Sequence, residues 1–143
     1  MDKYEDAKRK PEIVKDIMDL DFPENSIEEI RWRHGIEHLW YDDGRKMLER
    51  IRKWLVPGGI AYLECPDVDA TMKKYAIDPK FPIQRWVYQI YGMQDRATGN
   101  VHYSGWTPYI MKDNLTKTGW WPDEISIWTN YKQNMFTTLT KKR

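Results

Sequence analysis

Three residues capable of metal binding or proton transfer lie close together in the sequence: His34, Glu37 and His38. The two histidines are four positions apart, so on a helix they would share one face. Zinc proteases with this spacing carry a glutamate directly after the first histidine, where this chain has Gly35. Because a zinc site normally needs three protein ligands, the spacing predicts no metal site. It favours a structural histidine that bonds to loop backbone.

Two further candidates, His102 and Tyr103, lie in a long polar stretch at residues 93–106. Connecting loops carry binding residues more often than cores do. A solvated loop histidine is the ordinary alternative, and it stays open at this stage. Asp67 and Asp69 follow an apolar run and are more typical of a turn and a helix cap than of catalytic acids.

The clearest element near these residues is a helix at 42–55, with apolar side chains at spacings of three and four. Asp42 or Asp43 can cap it, and Pro57-Gly58-Gly59 predicts its end. The apolar run at 60–65 then predicts a strand covered on both faces. At 27–33 periodicity alone does not separate strand from helix. The other predicted elements are a strand at 12–17, helices at 69–75, 82–91 and from Thr107 to Gly119, and a hairpin at about 125–140.

Composition indicates one domain spanning residues 1–143, with a flexible charged start at 1–11. The 23 basic and 22 acidic residues nearly cancel, so nucleic acid is an improbable partner. Eight Trp residues predict an aromatic-rich core. The single cysteine, Cys65, predicts a buried reduced thiol and suits the cytoplasm. No apolar stretch is long enough to predict a membrane span.

Three stretches in order resemble the class I S-adenosylmethionine (SAM) dependent methyltransferases, in particular their small methyltransferase-domain branch. The first stretch, from Asp16 to Ser26, resembles the family's aspartate followed by a Leu-Pro-Phe, acidic, Asn-Ser loop. The second, His34 to Leu39, resembles the His-Val-Leu-Glu-His segment after the fourth strand. The third, Arg52 to Gly59 with Glu64 to Asp67, resembles the Lys-Pro-Gly-Gly turn and the strand after it. A looser match continues to Gly119.

This resemblance implies an α/β, Rossmann-like fold, with a mostly parallel sheet that ends in an antiparallel hairpin. The family's strand order, 3-2-1-4-5-7-6, makes residues 27–33 the fourth strand. SAM is the implied cofactor, with the Asp16 carboxylate and the Ile17 backbone N–H facing its adenine. His34 would lie at the mouth of the cofactor cleft as a cofactor-binding residue and a catalytic base. His102 and Tyr103 would border the pocket of the methyl acceptor.

The chain departs from the family in the part that grips the cofactor. The family's first strand ends in a glycine-rich turn, but the first glycine here is Gly35, and only 15 residues precede Asp16. Glu28 replaces the aspartate of strand four, and Val56 replaces the lysine of the Lys-Pro-Gly-Gly turn. Asp16 is therefore either a cofactor residue or a loop cap.

These departures predict a truncated methyltransferase-like protein without transfer activity of its own. One alternative is an active methyltransferase completed by another chain or by a further N-terminal segment. Another is a small binding module on the same scaffold. Without strands one and two, the strand at 27–33 would have an open edge, which is a template for pairing with another chain. A homodimer through this edge is expected, with pairing to the strand at 12–17 as the alternative.

Overall fold

The computed structural model describes residue 13 and residues 15–78, 80 and 82–143, except for the side chain of Ile83. Four strands form the sheet: β1 (Ile27–Arg33), β2 (Leu55–Pro66), β3 (Ile125–Thr129) and β4 (Asn134–Thr140). Four helices accompany them: α1 (Tyr41–Trp54), α2 (Val68–Ile77), α3 (Ile83–Tyr91) and α4 (Pro108–Lys117). Short 3-10 turns occur at Ile17–Asp19, Ile36–His38 and Pro122–Glu124. The flexible start predicted at 1–11 lies outside the described residues.

The strands are arranged in the order β1-β2-β4-β3. β1 and β2 run parallel, with α1 as their crossover, whereas β4 is antiparallel to both β2 and β3. This order corresponds to 4-5-7-6 in the arrangement that the resemblance implied. The predicted α/β fold, with a parallel pair followed by a C-terminal antiparallel hairpin, is therefore confirmed.

One face of the sheet packs against α1 and α4 to form the main core. Ala61, Leu63 and Cys65 of β2 are buried there, together with side chains of the two helices: Leu48, Ile51, Met111 and Leu115. Cys65 is a free, buried thiol, as predicted, and burial raises its pKa well above the usual value. Burial of these apolar groups is the main force that fixes α1 behind the parallel strands.

The opposite face of the sheet is open to solvent in the described part of the chain. Tyr62 and Trp128 on this face are 38% and 54% exposed, and Trp128 stacks on Phe136 at 4.5 Å between ring centroids. The expectation of a Trp-rich core therefore holds only in part. Trp54, Trp106 and Trp120 are buried, whereas Trp40, Trp121 and Trp128 are largely exposed.

Side chains cap the N-termini of α2 and α4. Asp67 accepts a hydrogen bond from the N–H of Ala70 at 3.0 Å and begins α2. Thr107 accepts one from the N–H of Ile110 at 3.1 Å, and Pro108 occupies the first turn of α4. These contacts satisfy N–H groups that have no partner within a helix.

Three predicted boundaries differ from the structure. The expected strand at 12–17 is wrong in its described part, because Asp16 caps a 3-10 turn that begins at Ile17. α1 begins at Tyr41, so Asp42 and Asp43 lie within its first turn rather than capping it. β2 begins at Leu55, although the Pro-Gly-Gly sequence after it predicted a turn.

The early start of β2 depends on the C-terminal end of the chain. The Gly58 N–H donates to the carbonyl of Lys141 at 2.7 Å, and the Lys141 N–H donates to the carbonyl of Gly59 at 3.0 Å. Glycine at position 58 adopts φ +86°, a conformation that other residues rarely take. Extended structure therefore continues through a sequence that is typical of a turn.

Candidate functional site

His34 lies at the carboxyl end of β1, which is where open α/β sheets bind ligands. Its N–H donates to the carbonyl of Glu64 at 2.8 Å, which fixes the backbone against β2. The residue adopts φ +47°, a left-handed conformation uncommon outside glycine. A Cβ atom at Gly35 would overlap the indole of Trp32, so glycine is required next to it. The backbone therefore turns sharply here and presents the imidazole at the sheet edge.

Two carboxylates flank the His34 imidazole. Nδ1 lies 3.3 Å from Glu37 Oε1, and Nε2 lies 3.3 Å from Glu64 Oε1. The hydrogen bond to Glu37 raises the pKa of His34, and it outweighs the opposing effect of burial. Glu64 also accepts from the Arg33 guanidinium at 2.5 Å. Because both ring nitrogens face carboxylates, the protonated imidazole is favoured, and the predicted role as a base stays a prediction.

The loop that contains His102 and Tyr103 is fastened to the turn after β1. The N–H groups of Tyr103 and Ser104 donate to the carbonyl of Glu37 at 2.8 and 3.2 Å. The Ser104 hydroxyl donates to the carbonyl of Ile36 and accepts from the indole of buried Trp106. These contacts place the loop beside the turn Ile36–His38, although the two segments are far apart in sequence.

His38 and His102 consequently face one another. Their ring centroids are 5.0 Å apart with planes inclined at 77°. Nδ1 of His38 lies 2.8 Å from the carbonyl of Val101, and Nδ1 of His102 lies 3.2 Å from the carbonyl of Gln89. Tyr103 packs against Trp40, with ring centroids 4.9 Å apart.

Glu37 is the most buried member of the group, with 3% of its side chain exposed. Its Oε2 atom is buried and has no hydrogen-bond partner among the residues that the structure describes. Such an atom is uncommon in folded proteins, because a buried polar group without a partner costs free energy. Glu37 therefore contacts His34 through Oε1, whereas its other carboxylate oxygen, Oε2, is left without a partner among the described residues.

Asp16 and Ile17 lie in a different setting. The Asp16 carboxylate accepts from the N–H of Met18 at 3.0 Å and so acts as the cap of a 3-10 turn. Arg50 of α1 holds this turn by donating to the carbonyl of Met18 at 2.7 Å. Ile17 packs with a small apolar cluster that includes Leu20 and Trp54. The sequence left two interpretations of Asp16, a cofactor residue or a loop cap. The hydrogen bond from the N–H of Met18 is the contact expected of a loop cap.

A groove of about 420 Å³ adjoins His34 on the open face of the sheet. It is lined by Arg31, Arg33, Tyr62, Leu63, Glu64 and Phe136. Glu64 borders both the groove and the His34 imidazole, so it joins the two. The sequence did not single out Glu64, because only the pairing of β1 with β2 brings it next to His34.

Comparisons with known proteins show what this chain resembles. A family model described as a methyltransferase domain matches residues 1–63. A search of curated proteins gives no match. Among solved structures, a possible exported protein from Bordetella parapertussis superposes with a TM-score of 0.64 at 16% identity, covering 91% of this chain and 43% of the other. The predicted resemblance to the methyltransferase family is confirmed over residues 1–63.

Two solved methyltransferases share the fold. A putative SAM-dependent methyltransferase from Listeria monocytogenes superposes with a TM-score of 0.61 at 13% identity, covering 92% of this chain and 68% of the other. The other is the Burkholderia thailandensis 1,6-didemethyltoxoflavin-N1-methyltransferase, solved with bound 1,6-didemethyltoxoflavin and S-adenosylhomocysteine. It superposes with a TM-score of 0.56 at 13% identity, covering 92% of this chain and 50% of the other. At these identities the structures show the fold alone. This methyltransferase-like chain spans about half the length of several of them.

The sequence alone could not predict two features of this site. One is the approach of His102 to His38, which depends on the path of the loop before α4. The other is the partnerless oxygen of Glu37, which depends on burial. The sequence showed Glu37 and His38 as neighbours, but it did not show that His102 lies beside them. Among the helices that the structure describes, none is long and apolar enough to cross a membrane.

Proposed function

We propose that this chain is a methyltransferase-like ligand-binding domain that does not transfer a methyl group from SAM by itself. The observation that supports a ligand-binding site is that His34 lies between Glu37 and Glu64 at the carboxyl end of β1. The carboxyl ends of parallel strands are the ligand-binding edge of open α/β sheets. Backbone strain at His34 adds support, since strained residues cluster at functional positions.

The residues of the 143-residue chain do not fit a complete SAM site. The Asp16 carboxylate already accepts the N–H of Met18, and the sequence has no glycine before Gly35 with which to form a glycine-rich turn. Such glycines let the backbone approach the cofactor closely. We therefore derive no methyl-transfer step for the chain alone.

The residues of the cluster can still orient and hold a polar ligand. Glu37 holds a proton on Nδ1 of His34, and Glu64, which lines the groove, contacts Nε2. Arg31 and Arg33 line the same groove, so an anionic or hydroxyl-bearing ligand would find donors there. A ligand that accepts from Nε2 would replace Glu64, which retains its contact with Arg33.

An active methyltransferase completed by a second polypeptide segment is the alternative. The open sheet face favours it, because Tyr62 and Trp128 remain exposed where helices cover both faces of other α/β sheets. A small interaction module would use the same aromatic side chains. Only the completed methyltransferase predicts that adding the second polypeptide segment restores SAM binding.

Calorimetric titration of the 143-residue chain with SAM tests the proposal. We expect no saturable heat up to millimolar SAM, because each missing charge-assisted hydrogen bond to the cofactor costs about 1.5–3 kcal/mol. A dissociation constant in the micromolar range would contradict it. In that case Asp16→Ala should weaken binding if the adenine-side assignment is correct, and Asp19→Ala in the same turn serves as the matched control.

A further inference from the structure

We propose that Glu37, His38 and His102 form a binding site for a divalent transition-metal ion, with Zn²⁺ as the most suitable. One ligand atom from each residue lies within 4.8 Å of the others. Two imidazoles and one carboxylate form the donor set of several catalytic zinc sites, in which a fourth position is open to water. The sequence predicted no metal here because Gly35 stands where zinc proteases have a glutamate and because a zinc site normally needs three protein ligands. The fold supplies His102 as the third.

Both histidines are held in the form that binds metals. A carbonyl oxygen only accepts hydrogen bonds, so Nδ1 of His38 carries a hydrogen toward Val101, and Nδ1 of His102 carries one toward Gln89. The lone pair of each ring is therefore on Nε2. This arrangement, with one nitrogen donating to backbone and the other available, is the usual setting of a metal-binding histidine. Burial also lowers the pKa of His102, which favours its neutral form.

Glu37 provides an independent sign of a missing partner. Its side chain is 3% exposed, and within the described part of the chain Oε2 has no hydrogen-bond partner. A buried carboxylate is costly unless it is paired or coordinates a metal. Oε1 is already engaged by His34, so the unsatisfied oxygen is the one left for an ion. A metal bound here would pair with this carboxylate and with one ring nitrogen of each histidine.

The required movement is small. Around a zinc ion with bonds of about 2.0–2.1 Å, tetrahedral ligand atoms are about 3.4 Å apart. Atoms that now lie within 4.8 Å of one another must therefore close by up to about 1.4 Å, which side-chain rotation can supply. The backbone is already fixed, because Tyr103 and Ser104 donate to the Glu37 carbonyl. Nitrogen-rich sites bind zinc in preference to magnesium or calcium, which require oxygen ligands.

The test uses the full chain without a polyhistidine tag, dialysed against chelator and titrated with ZnCl₂ by calorimetry. We expect one ion per chain, and we expect Co²⁺ in the same site to give visible ligand-field absorption. Glu37→Gln, His38→Gln and His102→Gln should each weaken zinc affinity by at least about 100-fold, more than the usual effect of removing an outer-shell partner. His34→Gln is the matched comparison: it removes a hydrogen-bond partner of Glu37 but leaves all three ligands in place, so it should weaken zinc affinity less than the ligand variants do.

Circular dichroism of each variant in chelator separates loss of a ligand from loss of the fold. His102→Gln is the decisive variant, since it changes a loop position and leaves the sheet and α1 untouched. Absence of zinc binding by the folded wild-type chain would overturn the proposal. Binding that survives in His102→Gln but is lost in His34→Gln would also overturn it, because the ion would then lie on the sequence-adjacent set His34, Glu37 and His38.

Discussion

Two buried carboxylates, Glu37 and Glu124, have opposite hydrogen-bond environments. Glu124 accepts from the N–H groups of Trp121 and Lys142 and from the Arg52 guanidinium, all at 2.8 Å. Glu37 instead retains an oxygen with no partner. A fully satisfied carboxylate stabilises the fold, whereas a partly satisfied one indicates a place for a ligand. Glu124 is therefore the carboxylate whose charge should stabilise the fold, and Glu37 is the one with an oxygen left for the proposed metal.

Glu124→Gln should destabilise the fold in a pH-dependent way. Burial alone would raise the pKa of Glu124, but the three hydrogen bonds outweigh it and lower the pKa below its ordinary value of 4.5. A lowered folded-state pKa means that the stabilisation is present above the ordinary value and is lost as the pH falls through the folded value. At pH 7 the free energy of unfolding in urea should fall by about 1.5–3 kcal/mol.

The difference between Glu124→Gln and wild type should shrink when the same urea titration is repeated well below the ordinary pKa. Asp123→Asn is the matched control, because Asp123 is an exposed neighbour that pairs with the Lys142 ammonium at 2.6 Å. It should leave the free energy of unfolding nearly unchanged. A destabilisation by Glu124→Gln that is the same at both pH values would show that the charge of Glu124 is not responsible.

At the scale of elements, the sequence predicted those whose stability is local. α1 and the β3–β4 hairpin follow from apolar spacing and from runs of β-branched residues. The start of β2 was missed because its extended conformation depends on hydrogen bonds to Lys141, at the other end of the chain. The strand predicted at 12–17 rested on weak alternation, and the short turn capped by Asp16 takes its place in the described residues.

The candidate site was predictable only in its local part. Sequence spacing identified His34, Glu37 and His38, and the family resemblance added His102 and Tyr103 as pocket residues. The actual pairing of His38 with His102 depends on two hydrogen bonds to the Glu37 carbonyl. Contacts of this kind join segments far apart in sequence, and no periodicity reveals them. The same holds for Glu64, which reaches His34 through the register of β1 and β2.

At the scale of the whole molecule, β1 is an edge strand of the described sheet and pairs only with β2. We propose that a second copy of the chain pairs along this edge, since unpaired strand edges are templates for another strand. Two-fold symmetry is the commonest arrangement of such pairs. Sedimentation velocity at tens of micromolar should show a dimer.

Hydrogen exchange checks where the association occurs. Amides of Ile27–Arg33 should become more protected as the protein concentration rises, whereas those of the interior strand Asn134–Thr140 should not change. A folded, soluble monomer at tens of micromolar would contradict the dimer. Concentration-dependent protection elsewhere, with β1 unchanged, would contradict the edge.

The central claim is that this methyltransferase-like chain does not hold SAM by itself, and residue-resolved NMR tests it most directly. Amide spectra of the ¹⁵N-labelled chain are recorded during titration with SAM to millimolar concentration. We expect no saturable shifts in the turn from Asp16 to Leu20 or in the segment from His34 to His38, because the Asp16 carboxylate caps its own turn. Saturable shifts in both segments together, with a micromolar midpoint, would contradict the account.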